Sequence, residues 1–598
     1  MNKTKVKNFA VSAHKLLVEQ IKIKAFEYEI TDSTMPDINT NSVHSRLLDQ
    51  SEKEQLKALI KAIKVHGYNH VIEEIAYTWF NRFIALRFME INNFLPQKIR
   101  VFTNEQDEFK PDLLSEAIYL ELDDLDKQKV FNFIDTNNED GLYKYLLITL
   151  CNDMNQYLPE LFTTFDNHDY TLLLLPDNLL KKESILAKLV YEIDKEDWKE
   201  KKDSGESTNA ITMIGWLYQY YISERHNQVI NILKGTVKKE DIPAATELFT
   251  TDWVVRYMVD NSLGRYWLER NPNSKLKNEL KYLATGKDGN IPFVKDDPVK
   301  PEELTFFDPC MGSGHILSYA FDVLMKIYRE CGWNDRDAAI SIVENNLYGL
   351  DIDERAYQLA YFSIMMKGRT YNRRFLRTKV SNHLSNVVET NILNSLSFEG
   401  MKITKEIEDI SDYLLHTFKD ALELGSLIQV LPKNYVSYQE YIDSIYNNSD
   451  ITLDYIEWKD NIYPQAKKLC MQADILSKKY CVTTTNPPYM SKMEGQLKEF
   501  IVNNYKECSK DLFAVFIKRN FDFTKENGYL GFMTPFVWMF IKSYEKLREY
   551  IINNKSITSL VQMEYSAYEE ATVPICSFIL KNNKSCDVGY YFRLSDFK

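Results

Sequence analysis

The feature that most constrains this chain is an alternation of strand-like and helical segments that begins near Lys238. "LTFFDPCMGSGHILSYAFDVLMKIY", from Leu304, reads as a strand, a glycine turn and a helix. "NLYGLDIDERAYQLAYFSIMM" repeats the pattern, as does "YCVTTTNPPY" before "KDLFAVFIKRNFDFT", and "GYLGFMTP" supplies a further strand. Regular β–α alternation is typical of a mostly parallel, doubly wound sheet. The sequence therefore predicts an α/β fold with a Rossmann-like sheet.

The first part of the chain has a different character. Up to about Gly235, apolar residues recur at three- and four-residue spacings, as in "EQLKALIKAIKVHGYNHVIEEIAYTWFNRFIALRFMEI", which favours helices throughout. At 598 residues the chain is also too long for one hydrophobic core. We expect an all-α N-terminal domain over 1–235 and a catalytic domain over 236–598. A polar, helical insertion over about 397–479 should decorate the sheet without extending it.

Composition excludes several classes of protein. With 44% hydrophobic and 27% charged residues, and no run of eighteen apolar residues, a transmembrane helix is not expected. The basic N-terminus lacks a signal-peptide core. Eight cysteines without a CxxC pair favour reduced thiols in a cytoplasmic protein. The net charge of −13 gives no global support for nucleic-acid binding, although a local groove can still be positive.

The turn "FFDPCMGSGHIL" is the first candidate for a binding site. Gly312 and Gly314 allow the backbone to approach a ligand closely where a helix begins. The turn lacks both the GxGxxG spacing of dinucleotide sites and the GK[ST] of a P-loop. Asp308 beside it would repel phosphate and attract an ammonium group. A purely structural strand-to-helix turn is the alternative interpretation.

"LYGLDIDERA" is the second candidate. An acidic residue at the end of a second strand, Asp351, can accept hydrogen bonds from both ribose hydroxyls, and Ile352 can pack on an adenine face. Alternatively, Asp351 or Asp353 only caps the following helix. Together, the two elements suit a ligand with ribose, adenine and an ammonium group but no phosphate. S-adenosylmethionine fits this description, whereas NAD and ATP do not.

The third candidate is Asn-Pro-Pro-Tyr in "CVTTTNPPYM". The Asn486 side-chain oxygen and the adjacent carbonyl of Pro487 can accept both hydrogens of a planar amine and aim its lone pair at a sulfonium methyl group. The prolines stiffen the loop and remove backbone donors, and Tyr489 can stack on the substrate ring. A strand-ending turn remains the alternative for this stretch taken alone.

These three segments resemble motifs I, II and IV of the N6-adenine DNA methyltransferases. "ELFTTDWVVRYMVDN", which precedes them, resembles motif X, an order typical of the γ class. "KDLFAVFIKRNFDF" and "GYLGFMTP" resemble motifs V and VI. "YEEATVPICSFIL" resembles the motif VIII region, where Tyr568 holds the position of an aromatic residue that stacks on the extruded base. In "VVETNIL", Asn391 stands where motif III commonly has aspartate. The resemblance assigns catalysis to Asn486, Pro487, Pro488 and Tyr489, and cofactor binding to Thr250, Asp308, Pro309, Gly312, Gly314, Asp351, Ile352 and Asn391.

The helical region extends the resemblance. "AYTWFNRFIALRFME" and "IGWLYQYYISE" are similar to the N-terminal part of PglX-type methyltransferases of bacteriophage-exclusion (BREX) systems. Members of that family are about twice as long, so we expect a C-terminal target-recognition half to be missing here. The resemblance implies S-adenosylmethionine-dependent methylation of adenine N6 in double-stranded DNA with a flipped base, together with other defence-system proteins as partners and no membrane. The alternatives are a cofactor-binding subunit without catalysis, or a methyltransferase acting on RNA or on a protein amide.

Three further patterns carry weaker hypotheses. "LLLLPD" and "EDWK" loosely resemble a PD-(D/E)xK nuclease pattern with Asp177, Asp197 and Lys199, but the surroundings read as helical. The acid-free run 367–379, "KGRTYNRRFLRTK", can contact phosphates, although a solvated helix face is the favoured interpretation. His315 has no second His or Cys at ligand spacing, so no metal site is predicted.

Overall fold

The structure of the chain is a computed structural model. It describes residues 2–165, 169–200, 210–227, 242, 250–286, 289–295, 297–398, 401, 403–448, 452–563, 574–585 and 588–594. These ranges contain most of the helical region and the strands described below.

The chain forms two compact units. Unit 1 comprises 1–224 together with 361–378, and unit 2 comprises 225–360 together with 379–598. The division differs from the predicted domains in placing 361–378, a segment between two strands of the sheet, with the helical region. The boundary near residue 235 stays a prediction, because 228–241 lie outside the described residues.

Unit 1 is helical, apart from a two-stranded ribbon formed by β1 (Ser42–Val43) and β2 (Arg46–Leu47). The aromatic-rich helix Tyr68–Ile91 is buried along its second half and forms part of the core, as its spacing predicts. No helix in the described part of the chain is both long and apolar enough to cross a membrane. The α-helices of unit 1 among the described residues are Lys3–Glu27, Gln50–His66, Tyr68–Ile91, Asp112–Ser115, Lys127–Asp135, Glu139–Met154, Tyr170–Leu173, Ile185–Tyr191 and Ala210–Asn227.

Unit 2 is built on one eight-stranded sheet. Its strands are β3 (Phe306–Asp308), β4 (Leu347–Asp351), β5 (His383–Asn386), β6 (Tyr480–Thr485), β7 (Thr524–Pro535), β8 (Ser556–Gln562), β9 (Ile575–Lys581) and β10 (Tyr590–Arg593). Their order is β10-β8-β9-β7-β6-β3-β4-β5. Only β9 runs antiparallel to its neighbours, β7 and β8, among these strands. The α/β class and the doubly wound, mostly parallel sheet are therefore confirmed.

Helices surround the sheet of unit 2. Those of the described residues are Asp252–Val259, Arg265–Arg270, His315–Glu330, Asp335–Ser341, Glu354–Tyr371, Lys405–Thr417, Ala421–Leu424, Tyr435–Asn448, Leu453–Glu457, Tyr463–Ser477, Gly495–Asn504, Leu512–Phe523 and Glu545–Asn554. The helix Glu354–Tyr371 begins in unit 2, and its second half belongs to unit 1.

The insertion packs on the sheet. Its described residues contain helices and no strand, so it does not extend the sheet. Apolar residues of these helices, such as Leu414 and Trp458, share one hydrophobic cluster with Phe307, Tyr348 and Leu350 of strands β3 and β4. The insertion thus covers part of the sheet with a common core, which burial of apolar area stabilises.

Candidate active site

The sheet has one switch point beside its central strand. The chain runs from β3 to β4 to β5 in one direction and then returns to place β6 on the other side of β3. Strands β4 and β6 both pair with β3 in parallel, so their carboxyl ends lie at the same edge. In open α/β sheets, ligands bind in the crevice outside such an edge, at the switch point.

The glycine turn after β3 lies at this edge. Gly312 and Gly314 have φ values of +51° and +82°, which side chains other than glycine's adopt only with strain. A Cβ on Gly314 would come within 2.9 Å of the Cα of Ala360, so the turn packs closely against the helix Glu354–Tyr371. A Cβ on Gly312 would meet nothing within 4 Å. The backbone of Gly312 is therefore open to a ligand.

Asp308, the last residue of β3, is fully buried. Its Oδ1 accepts a hydrogen bond from the backbone N–H of Cys310 at 3.1 Å, while its Oδ2 is buried without a hydrogen-bond partner. The nearby Thr485 hydroxyl favours the charged form, but it is likewise buried without a hydrogen-bond partner. Burial raises the pKa of Asp308 to about 7, and the Asp351 carboxylate adds to the rise. A cation next to Oδ2 would supply the missing partner.

Asp351, at the end of β4, ties its strand to the glycine turn. Its Oδ2 accepts from the Gly312 N–H at 2.8 Å and its Oδ1 from the Asp353 N–H at 2.9 Å. The side chain keeps some exposure to the pocket, but it is removed from bulk water. Burial raises the pKa of Asp351 to about 6, although these backbone donors oppose the rise. Each oxygen retains a free lone pair for a ligand hydroxyl.

Asn486 follows the last residue of β6 directly. The Tyr489 hydroxyl lies 2.8 Å from Asn486 Oδ1 and 3.0 Å from the carbonyl oxygen of Met533, so it can donate its single hydrogen to either one. The Tyr489 ring packs edge-to-face against Phe513, with centroids 6.2 Å apart. The Asn-Pro-Pro-Tyr stretch thus follows the end of β6, and the Tyr489 hydroxyl of the same loop can donate to the side-chain amide oxygen of Asn486.

Asp511 fixes the far end of this loop. Its Oδ1 accepts from the Met490 N–H at 3.0 Å and from the Phe513 N–H at 3.4 Å, so it also caps the helix Leu512–Phe523. The Leu512 N–H in turn donates to the Met490 carbonyl at 3.1 Å. Burial raises the pKa of Asp511 to about 6. Asp511 was not among the predicted site residues, although an aspartate before a helical run is an N-cap signal.

One pocket joins these elements. Of the predicted site residues it is lined by Thr250, Pro309, Gly312, Asp351, Ile352, Asn486 and Pro488. Its other lining residues are Ile242, Cys310, Met311, Ser313, His315, Ile316, Asp353, Val387, Glu423, Leu424, Gly425, Ser426, Leu497, Leu512 and Phe516. Three carboxylates and no lysine or arginine are among them. Such a pocket attracts a cation and repels phosphate.

Other predicted site residues lie outside this lining. Asp308 is fully buried and is not among the lining residues, although the next two residues are, and Gly314 packs against Ala360. Pro487 and Tyr489 support the loop that carries Asn486. Tyr568 lies outside the described residues.

Asn391 is not brought to the pocket. It is exposed, its Nδ2 donates to Asp420 Oδ1 at 2.9 Å, and its Oδ1 accepts from the Asp420 N–H at 2.8 Å. The physical reason is that β5 ends at Asn386, so the chain has already left the sheet edge five residues later. Val387, the first residue after β5, lines the pocket instead.

The insertion supplies four lining residues that sequence reasoning missed, Glu423 to Ser426. No periodicity or turn signal connects this stretch with a site at the sheet edge. Leu512 and Phe516, also missed, stand four residues apart on one helix face, a spacing compatible with a shared wall.

The weaker hypotheses fare as follows. Asp177 is paired with both Lys24 and Lys144, and Asp197 accepts from the Asn2 N–H at 3.0 Å, so these carboxylates serve separate structural contacts. In the basic run, Lys367 is buried in an ion pair with Glu200, while the arginines at 373, 374 and 377 are exposed. Among the described residues no group of three His, Cys, Asp or Glu side chains can hold a metal ion.

Comparisons with known proteins agree with the sequence motifs. The family model of the Eco57I restriction-modification methylase matches residues 345–568. Adenine-specific methyltransferase PglX from Lacticaseibacillus casei (strain Zhang) is 35% identical over 643 aligned residues, which cover 100% of this chain and 52% of that protein. The chain is a relative of PglX-type adenine-specific methyltransferases. The predicted resemblance is thereby confirmed.

A second adenine-specific methyltransferase aligns over nearly the same length. Adenine-specific methyltransferase BrxX from Escherichia coli O9:H4 (strain HS) is 33% identical over 581 residues, covering 90% of this chain and 46% of that protein. The chain thus spans about half the length of the curated relatives it matches. A solved type I restriction-modification methyltransferase subunit from Streptococcus thermophilus covers 100% of this chain and 88% of its own at 12% identity, with a TM-score of 0.39. That structure is too distant to define the fold of this chain. The fold is defined by the strand order described above.

The methylase family implies S-adenosylmethionine as the methyl donor, and the pocket fits it. In the lining, the Asp351 carboxylate suits a ribose and the open backbone at Gly312 suits a close approach. Asp308 does not line the pocket, but it precedes the lining residues Pro309 and Cys310, and its buried Oδ2 without a hydrogen-bond partner would suit an ammonium group. Ile352, Val387, Leu512 and Phe516 supply an apolar lining for a purine.

Proposed function

We propose that this chain is an adenine-specific DNA methyltransferase that acts in bacterial defence against phage. The reaction moves a methyl group from S-adenosylmethionine to N6 of an adenine in double-stranded DNA. The observation that carries the proposal is that Asn486, at the end of β6, lines the same pocket as Asp351 and the glycine turn. Relatives named adenine-specific methyltransferases support the choice of adenine. Because DNA is the substrate, we place the protein in the cytoplasm, with other defence proteins as partners.

The residues divide the work as follows. S-adenosylmethionine, when bound, supplies an electrophilic methyl group on its sulfonium sulfur. Asp308 attracts the ammonium group of this ligand, Asp351 accepts from its ribose, and Ile352 packs on its adenine. Gly312 and Pro309 shape the wall through backbone atoms. Gly314 allows the turn to pack against the helix Glu354–Tyr371, and Thr250 closes the pocket from the segment that precedes β3.

Asn486 acts on the substrate amine. Its Oδ1 and the carbonyl oxygen of Pro487 accept the two amine hydrogens, which places electron density on the nitrogen and aims its lone pair. Pro488 stiffens the loop, and Tyr489 with Tyr568 packs against the base. An amine inside a duplex cannot reach Asn486, so the adenine must leave the stack. Catalysis then consists mainly of orientation and electrostatic placement.

The decisive experiment follows the transferred methyl group. The full 598-residue chain is incubated with S-adenosylmethionine carrying a labelled methyl group and with unmethylated duplex DNA, in parallel with RNA and with protein acceptors. We expect the label in DNA, as N6-methyladenine after digestion to nucleosides, and its loss with Asn486→Ala. Label in RNA or protein would contradict the choice of DNA. Cofactor binding without any transfer would indicate a non-catalytic subunit.

Removing the Tyr489 hydroxyl should slow the reaction without affecting the cofactor. Tyr489→Phe keeps the ring for stacking but loses the donor 2.8 Å from Asn486 Oδ1. We expect a kcat lower by about five- to twentyfold, the size of one lost hydrogen bond to an aligned group. The dissociation constant of S-adenosylhomocysteine should stay within twofold of the wild type.

Tyr463→Phe is the matched control for Tyr489→Phe. It removes a hydroxyl that donates to Asp443 at 2.6 Å in the insertion, so kcat should not change. A Tyr489→Phe chain with the wild-type kcat would show that the hydroxyl does not orient Asn486.

A further inference from the structure

The segment Glu423–Ser426, here termed the inner wall, comes from the insertion and yet lines the pocket at the sheet edge. We propose that the inner wall is an integral part of the cofactor site and that Ser426 and Arg519 are the residues that position it. The inference rests on the proposed function for the identity of the ligand. It assigns cofactor affinity to a region that the strand pattern identifies only as a decoration of the sheet.

Ser426 fastens the inner wall to the glycine turn. Its Oγ donates to the carbonyl oxygen of Pro309 at 2.8 Å, and the side chain is 3% exposed. Pro309 is the first residue after β3 and lines the same pocket. One buried hydrogen bond thus joins two walls that are 117 residues apart in sequence.

Arg519 holds the inner wall from the opposite side. Its Nη2 donates to the Ile428 carbonyl at 2.7 Å, and its Nε lies 3.5 Å from the Ser426 carbonyl. The guanidinium is 5% exposed and packs over the Phe523 ring at 4.1 Å. A planar fork can bind two carbonyls of one turn at once, which a single ammonium group cannot do with the same geometry. Arg519 lies on the helix Leu512–Phe523, whose Leu512 and Phe516 line the pocket.

Asn391 fixes the residue that begins the short helix leading into the inner wall. The reciprocal hydrogen bonds between Asn391 and Asp420 hold Asp420 at φ +56°, immediately before the short helix Ala421–Leu424. A left-handed conformation at a residue other than glycine costs free energy, which these two bonds offset. Asn391 therefore acts on the pocket through the backbone of the insertion.

Gly425 sets how closely the inner wall approaches its neighbour. It has φ +54°, and a Cβ at this position would stand 3.1 Å from Ile352 Cγ2. Ile352 follows the proposed ribose ligand Asp351, so the inner wall faces the part of the pocket that holds the ribose and the purine. A displaced wall would change the width of the pocket there.

A wall that only stabilises the fold is the alternative, and cofactor affinity distinguishes the two. The variants are Ser426→Ala, Arg519→Met and the double variant, each in the full chain. The dissociation constant of S-adenosylhomocysteine is measured by titration calorimetry, and the melting temperature without ligand by calorimetry. We expect about five- to tenfold weaker binding for Ser426→Ala, with a melting temperature close to that of the wild type, since one neutral hydrogen bond is lost.

The double variant tests whether both residues act on the same element. If they position one wall, their effects on binding should be clearly less than additive. In a methylation assay the KM for S-adenosylmethionine should rise by a similar factor in Ser426→Ala, whereas kcat at saturating cofactor should stay within twofold. A purely structural role would not separate KM from kcat in this way.

Two matched controls complete the design. Ser444→Ala removes an exposed hydroxyl that bonds to the Tyr441 carbonyl elsewhere in the insertion. Arg548→Met removes a side chain that donates to the Trp538 and Ile541 carbonyls at 2.8 and 2.7 Å. Neither should change the dissociation constant of S-adenosylhomocysteine.

The outcomes separate the inference from the proposed function. Wild-type affinity in both Ser426→Ala and Arg519→Met, or an equal loss in the controls, overturns the role of the inner wall. A chain that binds S-adenosylhomocysteine through the inner wall but methylates no DNA leaves the inference standing and removes the proposed function. A wild-type chain that binds no S-adenosylhomocysteine overturns both.

Discussion

Replacing Asn486 by alanine should reduce the rate of adenine methylation by about 10²–10³-fold, the size of losing one preorganised polar group at the reacting centre. Alanine removes the side-chain oxygen that would accept an amine hydrogen and leaves only the Pro487 carbonyl. Because Asn486 is partly exposed at the end of β6, its loss leaves no large cavity. The melting temperature should therefore change little, and binding of S-adenosylhomocysteine should be retained.

Two further variants define what Asn486 does. Asn486→Asp keeps acceptor oxygens, so its activity should fall between those of the wild type and Asn486→Ala. Asn504→Ala removes an exposed amide that donates to the Phe500 carbonyl at 2.8 Å and should have no effect. Methylation by Asn486→Ala within threefold of the wild type, measured as N6-methyladenine formed per enzyme per minute, would contradict the proposed role.

The strand ends and their chemistry could be predicted because their signals are local. Asp308 beside two glycines, Asp351 at the end of an apolar run and Asn486 before two prolines each mark the point where a strand stops. The carboxyl ends of parallel strands share one edge, so placing these residues on neighbouring strands also places them in one crevice. The structure confirms the sheet, and the pocket joins Asp351 to Asn486.

The rest of the pocket depends on contacts between distant segments. Ser426 reaches Pro309 across 117 residues, and Arg519 reaches Ile428 across 91. Residue spacing does not predict such pairs, because the sequence of the insertion does not indicate which of its faces contacts the sheet. Strand β5 has only four residues and no turn signal that would mark its end in the sequence. Because it ends at Asn386, Asn391 lies five residues beyond the sheet edge and away from the pocket lining.

The supporting contacts of Asp511 and Tyr489 could not be predicted for a different reason. Both side chains form hydrogen bonds to the loop that carries Asn486. The sequence predicted only a stacking ring for Tyr489, and it offered Asp511 only as a helix cap. The residue type determines which interactions a side chain can form, whereas the fold determines which partner it contacts. Supporting residues are therefore the part of a site that sequence patterns locate least well.

Asp308→Asn should stabilise the ligand-free protein at pH 8 and at the same time abolish cofactor binding. Burial raises the pKa of this carboxyl from 3.8 to about 7, so its ionised form destabilises the folded state. A raised pKa contributes stability that is fully present below about pH 4 and is lost as the pH rises through about 7. At pH 8 the cost of the charge approaches roughly 4 kcal/mol at most. A neutral amide avoids this cost, so we expect a melting temperature higher by a few degrees at pH 8 and higher by a smaller amount at pH 5, where only the first part of the loss has occurred.

Cofactor binding should show the opposite dependence on the same group. The carboxylate form attracts an ammonium group, so the affinity of the wild type for S-adenosylhomocysteine should rise as the pH increases from about 6 to about 8. The asparagine variant lacks the charge, and we expect its affinity to be lower by at least about 100-fold at pH 8, because the ammonium then lacks its buried partner. Asp337→Asn, which changes an exposed aspartate, should alter neither the melting temperature nor the affinity.

Calorimetric melting and binding titrations at pH 5, 6, 7 and 8 check both parts of the Asp308 prediction. An Asp308→Asn chain that melts lower at pH 8 would show that the carboxylate has a structural partner in the folded state. Wild-type affinity in the same chain would exclude Asp308 from the cofactor site. The combination expected here, a more stable protein that has lost its ligand, arises only if the buried charge is maintained for binding at the expense of stability.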